Sequence, residues 1–131
     1  MSDYKKYIKP IFIATLWIGA SEFIRNQLVF ASFWTDHYHS LGIEFPAKPI
    51  NGMVWMLWSL SFAGVVAVIS TKFTLKQTTA LCWIIGFMLM WLVIGNLGVL
   101  PTKLLWFAVP LSLVESYGAS YIAHYFQRKN K

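Results

Sequence analysis

Charged residues are scarce in this chain of 131 residues, in which Asp, Glu, Lys and Arg together make up 12%. Soluble domains carry about 25% charged residues, roughly twice as many. The hydrophobic share is 57%, and 18% of all residues are aromatic. This balance excludes an ordinary soluble domain and makes the lipid bilayer the expected surroundings of the chain.

Cysteine is almost absent, since Cys82 is the only one in the sequence. One cysteine can form neither an intrachain disulfide nor a cysteine-rich metal site. The sequence also contains no clustered histidine box, no glycine-rich phosphate loop and no Ser-His pairing. It therefore predicts no cofactor and gives no motif for an enzyme. A small membrane enzyme acting on a lipid-like substrate stays an alternative.

Apolar residues form four long runs separated by short polar segments. The runs cover residues 8–33, 50–71, 78–100 and 104–126. Each is long enough, at about 1.5 Å per helical residue, to cross a hydrocarbon core of about 30 Å. Residues 34–49 are predicted to form a loop. The expected fold is all-α: a polytopic membrane protein with one domain, 1–131, built as an antiparallel bundle of four transmembrane helices.

The basic residues lie between these runs and at the chain ends, not on one polar patch, which excludes nucleic acid as a partner. One predicted side of the membrane has only Lys48 and Lys103. The other side has Lys5, Lys6, Lys9, Lys72, Lys76, Arg128, Lys129 and Lys131. Because cytoplasmic segments carry the excess of Lys and Arg, both termini are predicted to be cytoplasmic, in the inner membrane.

Polar residues inside the apolar runs are informative because a charged side chain at bilayer depth costs at least ~2.5 kcal/mol. Glu22, Arg25 and Asn26 have the spacing i, i+3, i+4 and share one face of the first helix. Counting the rise per residue puts Glu115 in the same layer as Glu22, near the midplane. Asn96 falls about a turn nearer the outside. We predict that these five residues form one interhelical polar site.

Charge counting in this site suggests its chemistry. Two carboxylates and one guanidinium leave one negative charge uncompensated, so one carboxyl is expected to hold a proton or a bound cation. This predicts proton-linked transport or binding of a small molecule. A bundle this small would need a homo-oligomer to form a pathway. Polar residues also hold membrane helices together, so a structural or accessory subunit of a larger membrane complex is the alternative.

The predicted loop 34–49 contains further candidate ligands, chiefly His37 and His39, with Asp36 and Glu44 near them. A lone His-x-His pair is a weak signal for a metal ion. A hydrated loop that Trp34 and Tyr38 hold at the membrane interface is the favoured interpretation. No metal site is therefore predicted, with His37 and His39 as weak candidates.

The small size, the four predicted helices and a glutamate in the middle of the first helix resemble the small multidrug-resistance transporters. The resemblance covers the neighbourhood of Trp17 to Glu22. In that family such a glutamate exchanges protons for cationic drugs, whereas in this chain Arg25 would disfavour the binding of a cation at Glu22. The chain departs from the family in the long segment 34–49, in Arg25 one turn after the glutamate, and in the second acid, Glu115.

Overall fold

The computed structural model describes residues 4–129, and 84% of the chain is helical. No strand occurs among the described residues, so the predicted all-α class is confirmed. Lys131, counted above among the basic residues, lies outside them. The α-helices are α1 (Lys5–Phe23), α2 (Ala31–Ser40), α3 (Pro49–Ile69), α4 (Leu75–Trp83), α5 (Leu89–Asn96) and α6 (Leu105–Lys129).

Two of the long helical stretches contain a π-helical segment. The first, Ile24–Val29, continues α1, and the amide of Phe30 donates to the carbonyl of Arg25 over 2.8 Å. The second, Ile84–Met88, joins α4 to α5. A π turn takes up an extra residue, so the side chains beyond it are rotated relative to those of an uninterrupted α-helix.

Local sequence explains where several helices begin and end. Pro49 occupies the first position of α3, where its missing amide hydrogen costs nothing. Before α4, Thr74 and Gln77 cap each other reciprocally. Gly42 and Gly98 lie just after α2 and α5 with φ of 74° and 76°. This left-handed conformation, which glycine adopts at little cost, ends both helices.

Helix α1 packs against α3 and α6, and α4 packs against α6. The ammonium of Lys9 lies 5.2 Å from the centre of the Phe126 ring. The side chain of Gln127 donates to the carbonyl of Ala67 over 3.0 Å. The start of α1 therefore meets the ends of α3 and α6, and α1 runs antiparallel to both. We call this end of the molecule, where the first and last described residues lie, the terminal end.

Glycine allows two close approaches between helices. A Cβ atom added to Gly86 would lie 2.7 Å from the Phe62 ring, and one added to Gly118 would lie 2.4 Å from the Trp17 indole. Each aromatic ring thus occupies space that is free only because the residue opposite it is glycine, which has no side chain. The surrounding core consists of Ala14, Ile18, Phe62, Ala63, Val66, Cys82, Phe87, Ala119 and Ala123.

Large apolar side chains also cover the outer surface: Trp106 is 84% exposed and Met53 is 68% exposed. Soluble monomers rarely show so much contiguous apolar surface. Three helical stretches are long and apolar enough to cross a membrane, which suggests membrane association: Lys6–Val29, Pro49–Ile69 and Leu75–Asn96. Helix α6 is not among them, because its glutamate, serines and tyrosines lower its mean hydropathy.

The segment 34–49, predicted to be a loop, begins as the second part of α2. The prediction that the whole segment is a loop was therefore wrong. Trp34 and Tyr38 lie one turn apart on this helix, and their rings pack on Phe45 with centroid distances of 5.7 and 5.2 Å. Polar residues between them do not prevent a helix whose aromatic residues share one face.

Candidate functional site: a buried acid pair around Arg25

Arg25 lies at the centre of the predicted polar site, within the first π-helical segment. Its Nη1 donates to Oε2 of Glu115 over 2.6 Å, and its Nη2 donates to Oε1 of Glu22. The guanidinium also faces the Phe87 ring, with 5.0 Å between Cζ and the ring centroid. Glu22, Arg25 and Glu115 are 5%, 6% and 1% exposed, so these charges interact with little screening by solvent.

Asn26 extends the site toward α2. Its Nδ2 donates to Oε2 of Glu22 over 2.9 Å, and its Oδ1 accepts from the indole of Trp34 over 3.1 Å. Both carboxylate oxygens of Glu22 therefore have a partner. In contrast, Oε1 of Glu115 is buried and has no hydrogen-bond partner among the described residues.

The contact between Trp17 and α6 sets the register that brings the two acids together. The Trp17 indole donates to the backbone carbonyl of Glu115 over 2.9 Å and lies in the notch at Gly118. Arg25 follows Trp17 by slightly more than two helical turns. The position of Trp17 against α6 therefore determines the position of Arg25 along the helix axis. Arg25 thus reaches Glu115 across the interface between the two helices.

A cavity of about 320 Å³ opens onto Glu22, Arg25 and Asn26. Five aromatic rings contribute to its wall, together with aliphatic side chains such as Ile94. We call it the aromatic cavity and define it by the rings of Trp34, Tyr38, Phe45, Trp55 and Trp91. A mostly apolar pocket with a few convergent polar groups is the usual form of a small-molecule site.

A second cavity of about 340 Å³ lies between α1 and α3 and shares Glu22 and Asn26 with the first. Lys48 and Asn51 contribute to its wall. Glu115 lines neither of these two cavities, because Arg25 stands between it and Glu22. The two acids of the site thus have different surroundings: Glu22 borders open space, and Glu115 is enclosed.

No family model, curated protein or solved structure matches this chain. None of these comparisons supports the resemblance to small multidrug-resistance transporters. What the polar site does has to be inferred from its own residues.

The structure does not bring Asn96 into the site, contrary to the sequence prediction. Asn96 is the last residue of α5, and its side chain is exposed. The rise per residue predicted its depth but not its direction around the helix axis. The π-helical segment Ile84–Met88 precedes α5 and rotates every later side chain, so a count that assumes a regular α-helix misplaces the polar face.

His37 and His39 do not converge on a common point. His37 lies in α2 with Nε2 2.8 Å from the carbonyl oxygen of Gly98, whereas the His39 side chain is exposed. Within residues 4–129, no group of three or more His, Cys, Asp or Glu side chains is arranged to hold a metal ion. The positive charge beside Glu22 and Glu115 is the guanidinium of Arg25, which pairs with both acids.

Sequence reasoning missed Trp17, Trp34, Phe87 and Gly118 as parts of the site. Each acts through geometry that only the packed structure reveals: an indole hydrogen bond, a ring face, or room for a ring. One signal was present, since a glycine three residues after a membrane-depth glutamate marks a close helix contact on the same face.

Proposed function

We propose that the chain crosses the bilayer four times as an antiparallel helix bundle, with α6 as the fourth span. The burial pattern of α6 supports this, although its mean hydropathy is low. Its polar side chains Ser112, Glu115, Ser116 and Ser120 are buried against other helices. Its exposed side includes Trp106, Phe107, Leu111 and Val114, which suit contact with lipid.

We place the terminal end in the cytoplasm and the chain in the inner membrane. The support is the distribution of charge: basic residues at the terminal end outnumber those at the opposite end, where Lys48 and Lys103 lie. Those described at the terminal end include Lys6, Lys9, Lys72, Lys76, Arg128 and Lys129.

Within this bundle, we propose that the aromatic cavity binds a small amphipathic molecule, and that binding is linked to a proton at the Glu22–Arg25–Glu115 cluster. One observation carries the proposal: an aromatic-lined cavity opens onto Glu22 and Arg25, and Glu22 shares the Arg25 guanidinium with the buried Glu115. With all three groups ionised, the cluster has one excess negative charge. A proton or a cationic ligand group supplies the missing positive charge.

Competition between these two positive charges couples ligand to proton. Glu22 borders the aromatic cavity, and aromatic faces attract ligand cations. When a cation binds beside Glu22, Arg25 remains available to neutralise Glu115, and the proton leaves. When the cation leaves, the cluster takes up a proton again. Combined with access from both sides, this exchange amounts to proton-linked transport.

Isothermal titration calorimetry on the purified protein in lipid nanodiscs tests the proposal, with benzyltrimethylammonium as the cationic probe and benzenesulfonate as an anion of similar size. Buffers of different ionisation enthalpy report the protons released per bound probe. We expect the cation to bind more tightly as the pH rises, with proton release, and the sulfonate to bind at least about tenfold more weakly.

Two variants link this binding to the site. Glu22→Gln should abolish proton release, and Ile94→Trp, which fills the aromatic cavity, should abolish binding. Leu97→Trp is the matched control, because Leu97 is exposed just beyond α5 and outside the cavity. Equal affinities for cation and anion, or unchanged proton release in Glu22→Gln, would show that the proposal is wrong.

A further inference from the structure

A line of polar side chains follows α6 from about one turn before Glu115 to the terminal end. Its members are spaced four residues apart and so share one helix face: Ser112, Ser116, Ser120 and His124. This face packs against α4 at two points. The Trp83 indole donates to the hydroxyl of Ser112 over 2.8 Å, and Oγ1 of Thr78 lies 3.2 Å from Nε2 of His124.

The two serines between these contacts have unsatisfied hydroxyl groups. Ser116 and Ser120 are both 0% exposed, and neither hydroxyl has a hydrogen-bond partner among the described residues. Elsewhere in the molecule, serine in a helix bonds to its own backbone, as Ser59 does to the carbonyl of Trp55 over 3.0 Å. Oε1 of Glu115, one residue before Ser116, is equally buried and unpartnered.

Buried polar atoms in proteins nearly always have a hydrogen-bond partner, supplied by the protein or by water. Three such atoms within two turns of α6 indicate that the partner is water, which binds in polar interiors where several polar groups are within reach. A lone serine stripe would be compatible with simple helix packing. The unpartnered carboxylate oxygen of Glu115, next to Ser116 in the chain, is a second kind of buried polar atom that needs a partner, which a packing stripe does not explain.

The opposite end of the line reaches a cavity at the terminal end. This cavity has a volume of about 340 Å³, and half-buried His124 forms part of its wall. The other residues around it are Leu75, Tyr121, Tyr125, Arg128 and Lys129. His124 therefore stands between the open cavity and the buried hydroxyls of Ser120 and Ser116.

We propose that water enters at His124 and reaches Glu115 past Ser120 and Ser116, forming a proton path from the terminal end. Glu115 then exchanges protons with one side of the membrane, while Glu22 borders the aromatic cavity at the opposite end. The water path depends on the proposed function in one respect only: the proton that it delivers is the one exchanged when a ligand binds. Arg25 between the two acids separates the two routes.

Few ionisable groups face this path. Arg25 contacts Glu115 directly and links it to Glu22 on the α1 side. From α4, Cys82 belongs to the same core cluster as Ala119. Arg128 lies one turn beyond His124, at the rim of the terminal cavity. Between His124 and Glu115, the buried polar side chains of α6 are those of Ser120 and Ser116.

Cysteine labelling in liposomes tests whether water reaches the line, with a small impermeant methanethiosulfonate as the probe and Cys82→Ala as the background. We expect Ser120→Cys to react at least tenfold faster than Ala119→Cys, and only from the side of the terminal end. Ala119 is the matched control because it is also 0% exposed but belongs to the apolar core. Equal rates, or labelling only from the opposite side, would overturn the path.

Hydrogen–deuterium exchange provides a second measurement that does not need a folded cysteine variant. Infrared spectroscopy follows the carboxyl band that Glu115→Gln removes. We expect Ser120→Leu to slow its exchange at least tenfold, and Ile94→Trp, which fills the aromatic cavity, to leave it unchanged. The reverse pattern would show that protons arrive through the cavity. That result would reject the path without affecting probe binding at Glu22, so the two proposals fail separately.

Discussion

Replacing Arg25 by glutamine tests the charge balance of the buried cluster. The substitution removes the only counter-charge that Glu22 and Glu115 share, while both acids remain almost fully buried. Removing one partner of a buried ion pair typically costs about 3–5 kcal/mol. We therefore expect Arg25→Gln to lower the free energy of unfolding by about that amount at pH 7.

Glu115→Gln is the informative comparison. The amide oxygen of the new side chain can still accept the hydrogen bond from Arg25, and the remaining Glu22–Arg25 pair is neutral. Only the excess negative charge is lost. The expected change in the free energy of unfolding is within about 1 kcal/mol, the net value of one hydrogen bond.

Denaturation by sodium dodecyl sulfate in mixed micelles, followed by tryptophan fluorescence, measures both values. Arg128→Gln removes a positive charge from the exposed end of α6 and serves as the control for charge alone. At pH 5 the loss in Arg25→Gln should shrink, because protons replace the guanidinium as the source of positive charge. Equal destabilisation by Arg25→Gln and Glu115→Gln would refute the idea of two acids sharing one counter-charge.

Two further predictions concern helix packing and topology. Gly118→Leu should destabilise the fold by about 1–3 kcal/mol, because its side chain has to displace the Trp17 indole, whereas Gly64→Leu, which meets open space, should have little effect on thermal unfolding. In a cysteine-free background, a cysteine at His39 should react with impermeant thiol reagents from the outside and one at Gln77 should not. Labelling of the Gln77 position from outside would contradict a cytoplasmic terminal end.

Part of the site could be predicted from the sequence because it depends on short-range spacing. Glu22, Arg25 and Asn26 lie within one turn of one helix, so their common face follows from helix geometry alone. The link to Glu115 needed only depth, which the rise per residue provides when both acids are near the middle of long spans. The observed hydrogen bond between Arg25 and Glu115 is compatible with that count.

Other parts could not be predicted, because they depend on rotation around a helix axis. The direction of Asn96 depends on the π-helical segment before α5, and hydropathy does not reveal such a segment. The bond from Trp34 to Asn26 depends on α2, whose residues 34–40 were predicted as part of a loop.

A change in the length of the π-helical segment Ile84–Met88 would change which side chains of α5 face the interior. One residue corresponds to about 100° of rotation in an α-helix. Deleting one residue within the segment, so that it closes into regular α-helix, would turn all of α5 by that angle without altering any of its side chains. Asn96 would move to another side of the helix, and Trp91 and Ile94 would leave the wall of the aromatic cavity. Relatives of this protein that differ by a single deletion here would then have a different cavity lining from nearly the same sequence.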